Sequence, residues 1–325
     1  MRKIIGIGNA LVDVIVNIPD ERILEKFSLP KGGMEMIDID KKRKLHQTIN
    51  SMQQTIASGG STSNTIHGLA HLGAQTGYIG KVSRDEMGCF FEKDLQKSNI
   101  CPHLIYTDNM DTGIATTLMT RDAERTFATY LGAAASMDVT DINRSIIANY
   151  DYIHVEGYLI FNKKLILHIC QLAKEAGLKI SMDMASYNLV KDHKEFIISL
   201  LKDYVDTVFA NEEESKALTG LEPEESLDIL SQYCPVAVIK LGSKGSIANI
   251  HGEKIKTKTN GKAPIDTNGA GDAYAAGFLF GLLNQFPAEK IGKLAARLGD
   301  EMVACIGAKL SDNQWDKILN EKDLF

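Results

Sequence analysis

From residue 138 onward short apolar runs alternate with longer amphipathic ones, giving strands at 152–156, 179–182, 207–210 and 237–241 and helices at 163–176, 191–201 and 212–218. A hydrophobic period that switches from two to 3.6 in this way predicts βα units, hence a mainly parallel sheet wrapped by helices. Further strands are expected at 3–8 and 75–80, a surface helix at 41–52, helices after the glycine pair at 59–60 and at 87–97, a hairpin over 246–250 and 254–258, and a long helix at 288–307. Residues 12–18, 34–37, 112–120 and 125–131 are β-rich without intervening helices, and 121–124 joins the last two as a hairpin. These segments predict a separate small sheet of four or so strands, able to close over a ligand and exclude water. The chain therefore divides into an α/β body (1–10, 53–105 and 133–325) and a β lid (11–52 and 106–132).

Composition narrows the function classes. The chain has 325 residues, 44% hydrophobic and 24% charged, with a net charge of −6, which suits a soluble globular protein. No basic block is longer than 41–44, so neither nucleic acid nor a membrane surface is an expected partner, and a small neutral molecule fits better. No run of about twenty apolar residues is present to span a membrane. Asp13 interrupts the apolar start, which reads as a strand rather than a signal peptide. Five cysteines without a CxxC pair read as reduced thiols, the usage of a cytoplasmic protein.

The chemistry concentrates in PIDTNGAGDAYAAGFLFGLL, residues 264–283. Gly269 and Gly271 precede a run that is apolar on nearly every face, so a glycine loop opens into a buried helix whose first N–H groups form an anion site. Asp272 at the mouth of that site suits a base acting on a hydroxyl while the amides hold the group being transferred. The same pattern also fits an N-capped core helix. No lysine follows the glycines, which excludes a Walker A loop. GIGNAL has Leu11 where a dinucleotide fingerprint needs its third glycine. Other polar groups fall at strand ends: Glu156, Asp183, and the NEEE run 211–214, in which Asn211 and Glu214 share one face of a helix's first turn. That turn is also where a helix dipole favours carboxylates. His67 and His71 have a metal-ligand spacing but no adjacent Glu and lie off the apolar stripe, so they read as surface or boundary residues.

DTNGAGD followed by AYAAGF, together with GGSTSN (59–64), Asp13 after GNALV, NEEE, KLGSKGS (240–246) and RTFATYLGAA (125–134), resembles the PfkB, or ribokinase-like, family of sugar and nucleoside kinases, in forms nearest its adenosine kinases. The resemblance implies a ribokinase-like three-layer α/β/α sandwich with a small β-sheet lid, and transfer of the ATP γ-phosphoryl group to a primary hydroxyl. It makes Asp272 the base and the amides of Gly269, Ala270 and Gly271 the anion hole. Asp13 would bind a vicinal diol, Gly59 and Gly60 would let the substrate ring approach the backbone, and Asn64 would bind its hydroxyls. Arg125 would contact the transferring phosphate. Lys240, Gly242, Gly245, Thr267 and Asn211 would lie along the nucleotide, with Asn211 and Glu214 organising Mg²⁺ through water and Asp266 beside a potassium ion. Tyr158 could offer an aromatic face to a purine, whereas Glu156 departs from the eukaryotic adenosine kinase pattern and suits additional sugar hydroxyls. A ribonucleoside is the first expectation and ribose, fructose or a related sugar the alternative. A non-catalytic nucleoside sensor is disfavoured by the presence of Asp272, Asn211 and Glu214 in one chain. The oligomeric expectation is a monomer or a homodimer through the lid.

Overall fold

The computed structural model describes residues 2–122, 124–261 and 264–325. Its elements follow the hydrophobic periodicity, and among the described residues fourteen strands fall into two sheets. In chain order they are β1 (Lys3–Ile7), β2 (Leu11–Asn17), β3 (Met34–Met36), β4 (Gln54–Gly59), β5 (Gln75–Ser83), β6 (Ile100–Thr107), β7 (Gly113–Met119), β8 (Arg125–Tyr130), β9 (Tyr152–Val155), β10 (Lys179–Asp183), β11 (Thr207–Asn211), β12 (Val236–Lys240), β13 (Ser246–Ile250) and β14 (Glu253–Thr257).

The large sheet has the order β14-β13-β12-β11-β10-β9-β1-β5-β6, parallel from β12 to β6 and antiparallel only in the β12, β13 and β14 meander. Its inner strands are apolar on both faces, as a sheet covered by helices on each side requires. Ile4 of β1 enters one hydrophobic cluster and Ile5 and Ile7 the other, which makes the body three layers deep. The helix Ala270–Leu283 is buried along most of its length because glycines admit its neighbours closely. A Cβ on Gly68 would lie 2.6 Å from the Ala276 Cβ, and one on Gly277 would lie 2.9 Å from the Ala295 Cα, so helices Ser61–His71 and Ala288–Met302 pack directly against it.

The small sheet has five strands, β3-β8-β7-β2-β4. The expected lid omitted β4, which the boundary at residue 53 placed in the body; QTIASG has neither alternation nor β-branched density, and only its pairing with β2 makes it a strand. Conversely β6, interrupted by Pro102, pairs in the large sheet with β5, so the second lid segment begins after Thr107 rather than at 106. The turn expected over 121–124 includes Ala123, outside the described residues. Cross-strand register places Asp13, Ala115, Thr129 and Met36 in one row and Ile15, Thr117, Phe127 and Met34 in the next, all on one face of this sheet. The opposite face holds Val12, Val14 and Val16, all fully buried.

Candidate active site

Gly269 caps the helix Ala270–Leu283 in a left-handed conformation, φ +72°, which a side chain would resist and which turns the chain so that the helix N-terminus opens onto the cleft. Asp272 sits in that first turn. Its carboxylate accepts from the Ser61 hydroxyl at 2.7 Å and from the Asn64 amide at 3.0 Å, and its carbonyl accepts from Thr65 at 3.3 Å. The three donors come from the first turn of the helix that follows the Gly59–Gly60 pair, so the two glycine signatures meet at one carboxylate. Burial pushes the Asp272 carboxyl up to about 6, while Asn64 and Ser61 hold it down. That places a proton acceptor in the useful range for a group meeting a primary hydroxyl near neutral pH. Of the three expected anion-hole amides, that of Ala270 donates to the Thr267 carbonyl at 3.3 Å in this conformation.

Asp13 projects from β2 across the end of β4. A Cβ on Gly59 would lie 2.1 Å from its Oδ1, so glycine there is the space in which the carboxylate stands. Burial raises Asp13 to about 7 against the pull of Lys309, and Asp272 adds to the rise, which puts the two acids within electrostatic reach of each other across the cleft. Gly60 has φ +92°, and a Cβ there would meet the Asn9 carbonyl oxygen at 2.3 Å. Glu156 lies behind this junction, 2% exposed. Its carboxylate accepts from Asn9 Nδ2 at 2.5 Å, from the Asn9 N–H at 3.3 Å and from the Thr62 N–H at 3.4 Å, and burial lifts it to about 7. Glu156 therefore ties the turn after β1 to the start of the helix Ser61–His71, with its oxygens taken up by Asn9 and Thr62 rather than by the expected sugar hydroxyls. Tyr158 is half-buried beside Ser186, and burial pushes its hydroxyl up to about 12.

On the far side of the glycine loop, Lys240 at the end of β12 pairs with Asp183 at 2.8 Å, and a Cβ on Gly271 would lie 3.1 Å from its ammonium. Burial opposes the lysine's charge, but Asp183 and Glu214 overcome that and raise it, so a fixed cation lies against the anion loop. Gly242 (φ +56°) and Gly245 (φ +99°) make the turn after β12, and Thr267, two residues before Gly269, is exposed. Asn211 and Glu214 form a reciprocal capping box: Asn211 Oδ1 accepts the Glu214 N–H at 2.8 Å, and the Glu214 carboxylate accepts the Asn211 N–H at 2.8 Å and Nδ2 at 2.9 Å. Glu214 is 3% exposed, and burial together with Asp183 raises it to about 7. Each of its oxygens accepts one hydrogen bond within this box, and among the described residues no group of three or more His, Cys, Asp and Glu could hold a metal by itself, so Asn211 and Glu214 would meet a magnesium ion through intervening water.

Arg125, expected at the transferring phosphate, instead lies with its guanidinium on Asp266. Asp266 also accepts the N–H groups of Asn268 and Gly307, each at 2.7 Å, and with the Arg125 guanidinium against it this carboxylate does not fit a potassium ion. Sequence reasoning missed Ser61, Asn9 and Lys309, and saw Asp183 only as a polar group at a strand end, without its partner Lys240. Lys309 is half-buried, bonds Ser58, and pairs with Asp94 at 3.0 Å; Ser58 in turn meets His67 at 2.9 Å. His67, expected near the surface, is 4% exposed in this network, and His71 stacks on Trp315 at 4.8 Å.

A family model described as pfkB family carbohydrate kinase matches residues 28–315. The chain belongs to the pfkB family of carbohydrate kinases. As a member it is a phosphotransferase acting on an alcohol group of a sugar or nucleoside, with ATP as the family's phosphoryl donor and magnesium generally associated with it. Curated relatives of this kinase include the 5-dehydro-2-deoxygluconokinase of Bacillus subtilis (strain 168), 25% identical over 280 residues, 82% of this chain and 85% of the relative. Among solved structures, a probable sugar kinase protein from Rhizobium etli CFN 42 is 27% identical with a TM-score of 0.88, covering 99% of each chain. The adenosine kinase from Sinorhizobium meliloti is 30% identical with a TM-score of 0.87, covering 97% of this chain and 98% of that one. The fold is thus the ribokinase-like α/β fold expected, with its second smaller sheet. Among the described residues, no helix is long and apolar enough to cross a membrane.

Proposed function

We propose that this kinase transfers the ATP γ-phosphoryl group to the primary hydroxyl of a ribonucleoside, adenosine first. The observation that carries this reading is the face of the small sheet on which Asp13 stands. On that face, across Ala115 and Thr117 of β7, the two rows hold Ile15, Phe127, Met34 and Met36, with Phe127 partly exposed and Met34 and Met36 53% and 51% exposed. A carboxylate for a diol, next to an uncovered aromatic and aliphatic surface, suits a ribose carrying a flat apolar base better than a bare sugar. The 30% identity to an adenosine kinase over nearly the whole chain supports the same choice.

A sugar acid of the gluconate class fits less well. Its carboxylate calls for a cation, yet Lys240, Lys309 and Arg125 are each paired with a carboxylate, Asp183, Asp94 and Asp266, while Asp13 and Asp272 face the cleft as acids. In the proposed reaction Asp13 and Asn64 orient the ribose, Asp272 orients and deprotonates the hydroxyl, and the amides at Gly269 to Gly271 with Lys240 face the charge that develops on the transferred group. ATP bound along the turn at Gly242 and Gly245 would supply the phosphoryl group, with Asn211 and Glu214 facing its magnesium through water.

Phe127→Ala is the expected discriminator. Loss of one face from a stacked base costs on the order of 1 to 3 kcal/mol, so kcat/KM for adenosine should fall about 5- to 150-fold while that for ribose changes little. Equal losses for nucleoside and free sugar would remove the base from this face.

A further inference from the structure

Arg125 opens β8 with its Cα opposite Met119 of β7, at the rim of the small sheet, and its side chain crosses to the body. The pair with Asp266 is dry, the two side chains being 13% and 1% exposed. The same carboxylate gathers two further segments. Its Oδ1 accepts the Asn268 N–H and its Oδ2 the Gly307 N–H, each at 2.7 Å, while the N–H groups of Ile265 and Asp266 both donate to the Val303 carbonyl, at 2.7 and 3.1 Å. Asp266 therefore ties the loop that leads into Gly269 to the turn after the helix Ala288–Met302. Its negative charge is compensated by a side chain from the other sheet.

A monovalent cation is held by oxygen lone pairs that replace its water shell. At Asp266 the oxygens meet N–H donors, and the guanidinium beside them presents five donors, no acceptor and a permanent charge of the cation's own sign. A potassium ion and Arg125 cannot both occupy this position. We propose that Arg125 is this kinase's built-in counter-charge for the anion loop, so that activity needs no monovalent cation and the loop is set only when the lid strand carrying Arg125 stands over it. The proposal rests on the kinase reaction but not on adenosine as its acceptor.

The test compares the full-length wild type with Arg125→Ala in potassium chloride and in choline chloride at equal ionic strength. Two quantities are read: the melting temperature without ligand, and the initial rate with ATP, magnesium and whichever hydroxyl acceptor is turned over. For the wild type both should be the same in the two salts. Arg125→Ala should melt lower than wild type and run at least about tenfold slower in choline, because it leaves a buried carboxylate unpaired, and potassium should recover part of both. A wild type whose rate or melting temperature rises with potassium overturns the proposal even if the variant does not fold. So does a variant as active and as stable as wild type in choline. The melting arm uses no substrate, so its outcome is independent of which acceptor the enzyme prefers.

Discussion

Asp272→Asn should lower kcat by about 10² to 10⁴ while leaving KM for the acceptor within a few-fold, the scale at which a positioned general base contributes. Asparagine keeps an oxygen for the Ser61 hydroxyl, so the cleft retains its shape while the proton acceptor is lost. Two pH signatures accompany the loss. If Asp272 is the base, the ionised carboxylate is the active form, so kcat/KM should fall as pH drops through about 6, and the variant's residual rate should lack that dependence. Stability should move the other way. Burial raises the folded-state value from 3.8 to about 6, so the folded protein holds this proton more tightly, and the site's contribution to stability declines as pH rises across that window. Asn carries no such penalty. The melting temperature of the variant relative to wild type should therefore be higher at pH 8 than at pH 4, a difference that scanning calorimetry resolves. Turnover within threefold of wild type would remove Asp272 from the chemistry.

The second large effect is expected from Gly59→Ala. The new methyl would lie 2.1 and 2.5 Å from the two Asp13 oxygens, closer than any real contact, and the end of a short side chain is what gives way. The backbone at Gly59 is in an ordinary strand conformation and pairs with Leu11, so the fold should survive at a cost of about 1 to 3 kcal/mol for overpacking. Asp13 would be turned from the cleft, and because in the proposed reaction it would hold the substrate in ground and transition state alike, the loss should fall on KM more than kcat, with kcat/KM down about 100-fold. Gly60→Ala is a different experiment. With φ +92° and the Asn9 carbonyl 2.3 Å away, backbone must move, and soluble yield should fall. If Gly59→Ala binds and turns over substrate as wild type does, Asp13 is not the group that selects it.

Much of this molecule was legible in its sequence because the signals are local. A glycine loop opening into a helix is written within ten residues, as at 264–273, and the βα alternation after residue 138 follows from periodicity alone. The contacts that complete the site are not local. Ser61 reaches Asp272 across 211 positions, Asn9 reaches Glu156 across 147, and Lys309 reaches Ser58 across 251. No spacing rule connects such residues. Glu156 was visible as a carboxylate at a strand end, but that it turns back to bind Asn9 and Thr62 depends on the parallel pairing of β1 with β9. His67 illustrates a related limit: its place off the apolar stripe suggested the surface, whereas Ser58, Asp94 and Lys309 build a polar cluster around it inside the fold. Arg125 stands on β8 of the small sheet, and only the approach of β8 to the Asp266 loop decides where its charge goes in this structure.

The central claim, that these residues form a phosphotransferase for a ribonucleoside, is tested most directly by one assay of the wild-type protein. ATP and magnesium are incubated in turn with adenosine, ribose, fructose and a gluconate-class acid, with ADP release followed for each and the product identified by ³¹P NMR. The account predicts ADP formation matched by one phosphate monoester coupled to the 5′ methylene protons of adenosine, with kcat/KM about tenfold or more above any free sugar and no turnover of the acid. Faster turnover of the acid or of a free sugar than of adenosine would contradict it.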